Sequence, residues 1–145
     1  MTGPAGSGQV ERQPDDQGLL DTSVVLDLSQ PEVLAALPAL TAISTVTLAE
    51  LSAGVHAARD GAERARRVLR LQQIEQHYDA VPVDAAAARS YGLIFAAVRR
   101  AGRSSRSRFA DLLIAAVGHA NRMPLYTRNI DDFVGLEELV DIRKV

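Results

Sequence analysis

Short apolar segments, each too brief for a helix, alternate along this chain with stretches whose apolar residues recur at helical spacing, and that alternation leaves few folds open. Leu19 and Leu20 lead into Asp21 and then a second apolar run, which reads as a buried strand ending at the carboxylate and a helix starting beyond it. Residues 41–46 are β-branched and apolar, a second strand. Residues 80–83, 124–127 and 139–142 supply three more strand candidates. Between them lie helical stretches: Thr47 opens one that carries Leu48, Leu51 and Val55 as far as Arg59, and a second runs over 62–78. Asp84 caps an Ala-rich helix that ends at Arg100 before Gly102, and Leu112, Leu113, Ala116 and Val117 mark an apolar face over 109–121. Strands joined by helical crossovers rather than hairpins predict an α/β fold, three layers α/β/α with a central parallel sheet of four to five strands.

Residues 1–17, rich in Gly, Pro, Gln and Asp, show no apolar periodicity and are expected to be a disordered extension, leaving 18–145 as one folded domain. The absence of cysteine excludes a disulfide framework, a thiolate zinc site and a cysteine nucleophile, and fits a cytoplasmic location. No apolar run approaches the roughly 20 residues of a spanning helix, and the N-terminus lacks the regions of a secretory signal, so no membrane association is expected. His56, His77 and His119 have no metal-binding spacing, and no Gly-rich phosphate loop is present.

A net charge of −2 argues against broad nucleic-acid affinity, but the charges are unevenly placed. Fifteen of the sixteen basic residues are Arg, crowded into 59–70 and 99–108. Arg99, Arg100, Arg103, Arg106 and Arg108 could grip phosphates beside an acidic site; the plain alternative is a solvated face.

In a parallel sheet, ligands bind beyond the C-terminal strand ends. Asp21 ends the first strand, Glu50 lies a helical turn past the second, Asn129 and Asp132 follow the fourth, and Asp111 opens a helix that can face the same edge. Carboxylates brought together repel unless a divalent cation neutralises them, and magnesium, held by one or two carboxylates with retained waters, suits phosphodiester hydrolysis. Each acid also has a reading without chemistry. Thr47 to Glu50 is a capping box, Asn129 could be an N-cap with acids in its first turn, Asp111 could serve a helix dipole, and Asp21 could cap the helix after it. Asp21 fits such readings least, because it interrupts a buried run where an unpaired carboxylate costs several kcal/mol.

Four segments, LLDTSVVLD, TVTLAELSAGV, RFADLLIAAVGHA and PLYTRNIDDF, stand in the order found in the PIN-domain ribonucleases, and the chain resembles the VapC-type toxins within that family over residues 18 to about 133. The resemblance implies a PIN-like nuclease domain over 18–145 and a magnesium-dependent endoribonuclease, with manganese a possible substitute. Asp21 and Asp111 are then the metal ligands, with Glu50 and Asp132 completing the catalytic acids. Thr22, Ser23, Thr127 and Asn129 would contact substrate or orient these groups; in the family the last acid stands at either the Asn129 or the Asp132 position, and Asp132 is the choice here. A small VapB-like antitoxin, a homodimer, and a structured RNA substrate such as tRNA or rRNA, whose cleavage inhibits translation, follow from the same resemblance.

Other readings remain open: a PIN-domain RNA-processing nuclease that is no toxin, or a silent RNA- or protein-binding module. An aspartyl phosphotransferase wants a second Asp two residues after Asp21, where Ser23 stands. A receiver domain wants a lysine after a late strand, and Lys144 is the chain's only one.

Overall fold

The computed structural model describes residues 17–145. The expected disordered extension lies outside the described residues except for Gln17, which already pairs with Leu40. Four strands, β1 (Gln17–Leu20), β2 (Leu40–Ala42), β3 (Leu125–Thr127) and β4 (Ile142–Lys144), form one sheet in the order β2-β1-β3-β4 with every pairing parallel. Six α-helices accompany them: α1 (Thr22–Val25), α2 (Pro31–Ala35), α3 (Thr45–His56), α4 (Gly61–His77), α5 (Ala85–Arg100) and α6 (Phe109–Asn121).

Strand alternation divides the core in two, because successive side chains point to opposite faces. Leu19 and Leu125 join Ile94, Val98, Leu112 and Val117 of α5 and α6 on one face. Leu20 and Tyr126 join Val24, Val33, Leu51 and Ile74 of α1 to α4 on the other. Two helical layers thus sandwich the sheet, the expected α/β/α arrangement. β1 has β2 on one side and β3 on the other, so the chain runs outward both ways from β1, and the crevice of such a sheet opens beyond its C-terminal end. Asp21 is the residue that stands there.

Four boundaries differ from the sequence reading. The helix expected to open at Thr47 starts at Thr45, with Ser44 as its cap and Ser44 Oγ accepting from the Thr47 N–H at 3.3 Å. Residues 80–83 make only a single parallel bridge, Ser44 to Val81; Pro82 has no N–H to extend it, and the Val83 N–H goes to Thr45 Oγ1 at 3.3 Å. The strand expected over 139–142 lies at Ile142–Lys144, because Leu139 and Val140 both donate to the Leu136 carbonyl in a turn whose apolar side chains belong to the core. Helix α2, not expected, begins at Pro31, whose missing N–H costs nothing at a first helical position.

Candidate active site

Asp21 is buried at 4% exposure, and its carboxyl is held by hydroxyls on both flanks. Ser23 Oγ donates to Asp21 Oδ2 at 2.7 Å and Thr127 Oγ1 donates to the same oxygen at 2.9 Å. Those hydroxyls are themselves fixed: Ser23 Oγ accepts from the Arg128 N–H at 3.1 Å, and Thr127 Oγ1 accepts from the Asn129 N–H at 3.0 Å. Asp21 occupies the cap position of α1, but its side chain makes no capping bond there. Local helix chemistry therefore does not explain it. Both hydroxyls fall on Oδ2, so the arrangement orients the carboxylate while leaving Oδ1 without a hydrogen bond among the described residues.

Glu50 lies on α3, and it does not close a capping box, since Ser44 caps the helix. Its Oε1 accepts from Thr22 Oγ1 at 2.8 Å instead. Thr22 Oγ1 also stands 2.9 Å from Thr47 Oγ1; with the Thr22 proton given to Glu50, Thr47 must be the donor of that pair. Thr47 is fully buried, so the chain Thr47, Thr22, Glu50 runs from the core out to an exposed carboxylate. The sequence reading did not find this role for Thr47, whose cap-like spacing disguised it.

Asp111, half-buried in the first turn of α6, is the residue on which the other acids' charges bear. Its pKa is pushed up to about 6, first by burial and then by the negative charges of Asp21, Asp132 and Glu50, with Arg108 acting in the opposite direction. Had the helix dipole governed Asp111, the shift would run downward. Four carboxylates distant in sequence thus share one electrostatic neighbourhood. Asp132 is half-buried within it, on a 3-10 turn over Ile130–Phe133. Asn129, at the start of that turn, is exposed and makes no side-chain cap. Arg108 holds the turn: its Nη1 donates to the carbonyls of Asp132 at 3.2 Å and Asp131 at 3.4 Å. Arg108 occupies the cap position of α6, three residues before Asp111, so the helix start that carries the acid also carries this arginine.

None of the three histidines joins the acids: His56 and His77 are exposed, and His119 Nδ1 lies 2.7 Å from Ser90 Oγ.

Among the described residues no three side chains of the ligating types stand close enough to hold a metal ion directly. The donor set nonetheless fits a hydrated hard cation. Magnesium takes oxygen ligands and keeps several waters, so one or two carboxylates suffice, and the mutual repulsion recorded in Asp111 is what a divalent charge would relieve.

Beside the acids, Val46, Ala49 and Ala53 of α3 face Phe109, Ala110 and Leu113 of α6 across an apolar groove of about 460 Å³ with Glu50 on its wall. Phe109 is 56% exposed.

Comparison with known proteins places the chain. The PIN domain model matches residues 18–138. Ribonuclease VapC5 of Mycobacterium tuberculosis is 38% identical over 122 residues, covering 83% of this chain and 87% of the relative. Among solved structures, VapBC-5 of Mycobacterium tuberculosis, a member of the VapBC family of toxin-antitoxin systems, matches with a TM-score of 0.75 at 35% identity, over 90% of this chain and 98% of the other. FitAcB from Neisseria gonorrhoeae matches with a TM-score of 0.71 at 27% identity, over 86% and 95%.

Proposed function

The chain belongs to the PIN-domain family, and we propose that it is a metal-dependent endoribonuclease, the VapC-type toxin of a toxin–antitoxin pair. The observation that carries the reading is that the charges of Asp21, Asp132 and Glu50, from three other parts of the sequence, all bear on the half-buried Asp111 and, after burial itself, push its carboxyl up. Asp21 and Asp111 would hold the ion, for which magnesium is the proposed metal and manganese a substitute. When bound, the ion supplies charge neutralisation and an acidified water for attack on a phosphodiester. The chain's own part is positional. Ser23 and Thr127 fix the Asp21 carboxyl, Thr22 fixes Glu50, and Arg108 fixes the turn bearing Asp132. Glu50 and Asp132 would orient the attacking water, with Asn129 contacting substrate.

The proposed substrate is a structured RNA of the translation machinery, tRNA or rRNA, whose cleavage inhibits translation. The proposed partner is a small VapB-like antitoxin, as the toxin–antitoxin membership of a 35% identical relative suggests. An apolar antitoxin segment suits the groove between α3 and α6, where it would cover Phe109 and close the approach to Glu50. A homodimer is part of the same reading. The expected location is the cytoplasm; among the described residues no helix is long and apolar enough to cross a membrane.

The test is cleavage of total cellular RNA with end mapping, in magnesium and in EDTA, by the wild type and by Asp21→Asn and Asp111→Asn. Cleavage should require the metal and fall by roughly 100-fold or more in both variants. Equal cleavage by all three proteins would assign the activity to another site or a contaminant.

A further inference from the structure

The five arginines of the second basic stretch do not act together. Arg108 turns toward the acids, and Arg100 lines no cavity with the others. Arg99, Arg103 and Arg106, with Ser104 and Ser105, line a concavity of about 340 Å³ whose wall contains no carboxylate. Among the described residues, none of these three arginines makes a salt bridge. Three cations around one hollow repel each other, and a fold that leaves them unpaired there presents a site complementary to an anion.

The local backbone explains how they converge. α5 ends in a reversal at Gly102, whose φ of +72° suits a residue without a Cβ, and the Arg103 N–H returns to the Val98 carbonyl at 3.1 Å. That reversal brings Arg103 back beside Arg99. The 3-10 turn Arg106–Arg108 then presents Arg106 to the hollow and carries Arg108 to the other side. Arg99 packs its guanidinium over the Phe95 ring, 5.9 Å from the centroid, which limits its freedom without neutralising its charge.

We propose that Arg99, Arg103 and Arg106, with the hydroxyls of Ser104 and Ser105, form a cradle for a backbone phosphate of the RNA, outside the acid centre. The inference rests on the ribonuclease reading and adds a substrate contact to it. The cradle sets where the RNA lies, while the acids act on a different phosphodiester of the same strand.

The experiment compares the wild type with the triple variant Arg99→Ala, Arg103→Ala, Arg106→Ala and with a control, Arg64→Ala, Arg66→Ala, Arg89→Ala, which removes the same charge from exposed helix positions. Anisotropy of a labelled RNA hairpin is titrated in EDTA across a salt series, and cleavage of the same hairpin is followed in magnesium. Thermal unfolding checks that each variant is folded. The cradle variant should bind about tenfold more weakly at low salt, with a salt slope smaller by about one, and its loss in cleavage should fall on KM rather than kcat. The control should lose less on each measure. An unchanged slope in the cradle variant, or an equal loss in the control, overturns the cradle while wild-type cleavage keeps the nuclease reading. Unchanged RNA binding with lost antitoxin binding overturns it in favour of a protein contact. A wild type that neither binds nor cuts RNA removes both.

Discussion

The Thr22 hydroxyl donates to Glu50 Oε1 at 2.8 Å, joining α1 to α3 across 28 residues of chain. That bond gives Glu50 a partner at the cleft. The capping box that Thr47 and Glu50 spell in sequence is absent, because Ser44 takes the cap three residues earlier. Thr22→Val keeps the shape and removes the hydroxyl, freeing Glu50 and leaving the buried Thr47 hydroxyl without its partner. A loss of about 1 to 3 kcal/mol is expected. Chemical denaturation and cleavage assays on Thr22→Val and Thr22→Ser check it: serine should restore both stability and activity, and a valine variant equal to wild type in both would remove the role given to this bond.

Thr127 bears on Asp21 in the same way. Its hydroxyl donates to Oδ2 and accepts from the Asn129 N–H, so one buried side chain orients both the first acid and the turn that carries the last. Thr127→Val should reduce activity or metal affinity by about 10- to 100-fold, the usual cost of losing a group that orients a ligand. Calorimetric titration with magnesium or manganese, beside the cleavage rate, reads this directly. Wild-type metal affinity together with a wild-type rate would show that Asp21 is held well enough by Ser23 alone.

The sheet makes its own prediction at Gly18. A Cβ built there would strike the ring of Tyr126 and come within 3.0 Å of Pro38 Cγ, so the Tyr126 ring lies over β1 here only because residue 18 has no side chain. Tyr126 cannot swing away freely, since its hydroxyl accepts from Arg143 Nη1 at 2.9 Å. Gly18→Ala should destabilise by about 1 to 3 kcal/mol through overpacking. Thermal unfolding of Gly18→Ala measures this, and an unchanged midpoint would mean that the ring shifts at no cost.

How much of this was legible beforehand differs by element. Helix α6 was readable because its apolar face repeats over 13 residues; the left-handed backbone of Arg122 that closes it has no signal in an arginine. The Asp84 cap of α5 was readable because its side chain does accept from Ala87 N–H, at 2.9 Å. The start of α3 was not. Thr45, Val46 and Thr47 have strand propensity, and only tertiary burial of Thr47, with Ser44 as cap, makes them helical. At the site, types and order of the acids were visible, and the family resemblance named Thr22, Ser23 and Thr127 as groups that could orient them; the part of Thr47 was not visible, because no spacing rule connects Thr47, Thr22 and Glu50. The basic stretch 99–108 was visible as charge, and its division into a three-arginine hollow and a separate Arg108 depended on the reversal at Gly102.

Asp111 links the site to pH. Its folded pKa of about 6 lies above the ordinary aspartate value of 3.8, so between those values the folded protein binds more protons than the unfolded chain. Its contribution to stability is present in full below about 3.8 and is lost as pH rises through about 6. For a half-buried group screened by solvent the loss is about 1 to 2 kcal/mol. A divalent cation reverses the sign, because it favours the ionised carboxylate that the metal-free protein resists. Thermal unfolding in EDTA from pH 4 to 7.5, for the wild type and Asp111→Asn, reads this contribution, since the variant carries no ionisable group at position 111. The wild type should lose ground to the variant as pH rises, and magnesium should raise the wild-type midpoint more at pH 7.5 than at pH 5. Parallel profiles for the two proteins would mean that Asp111 is not where the acids' repulsion is concentrated.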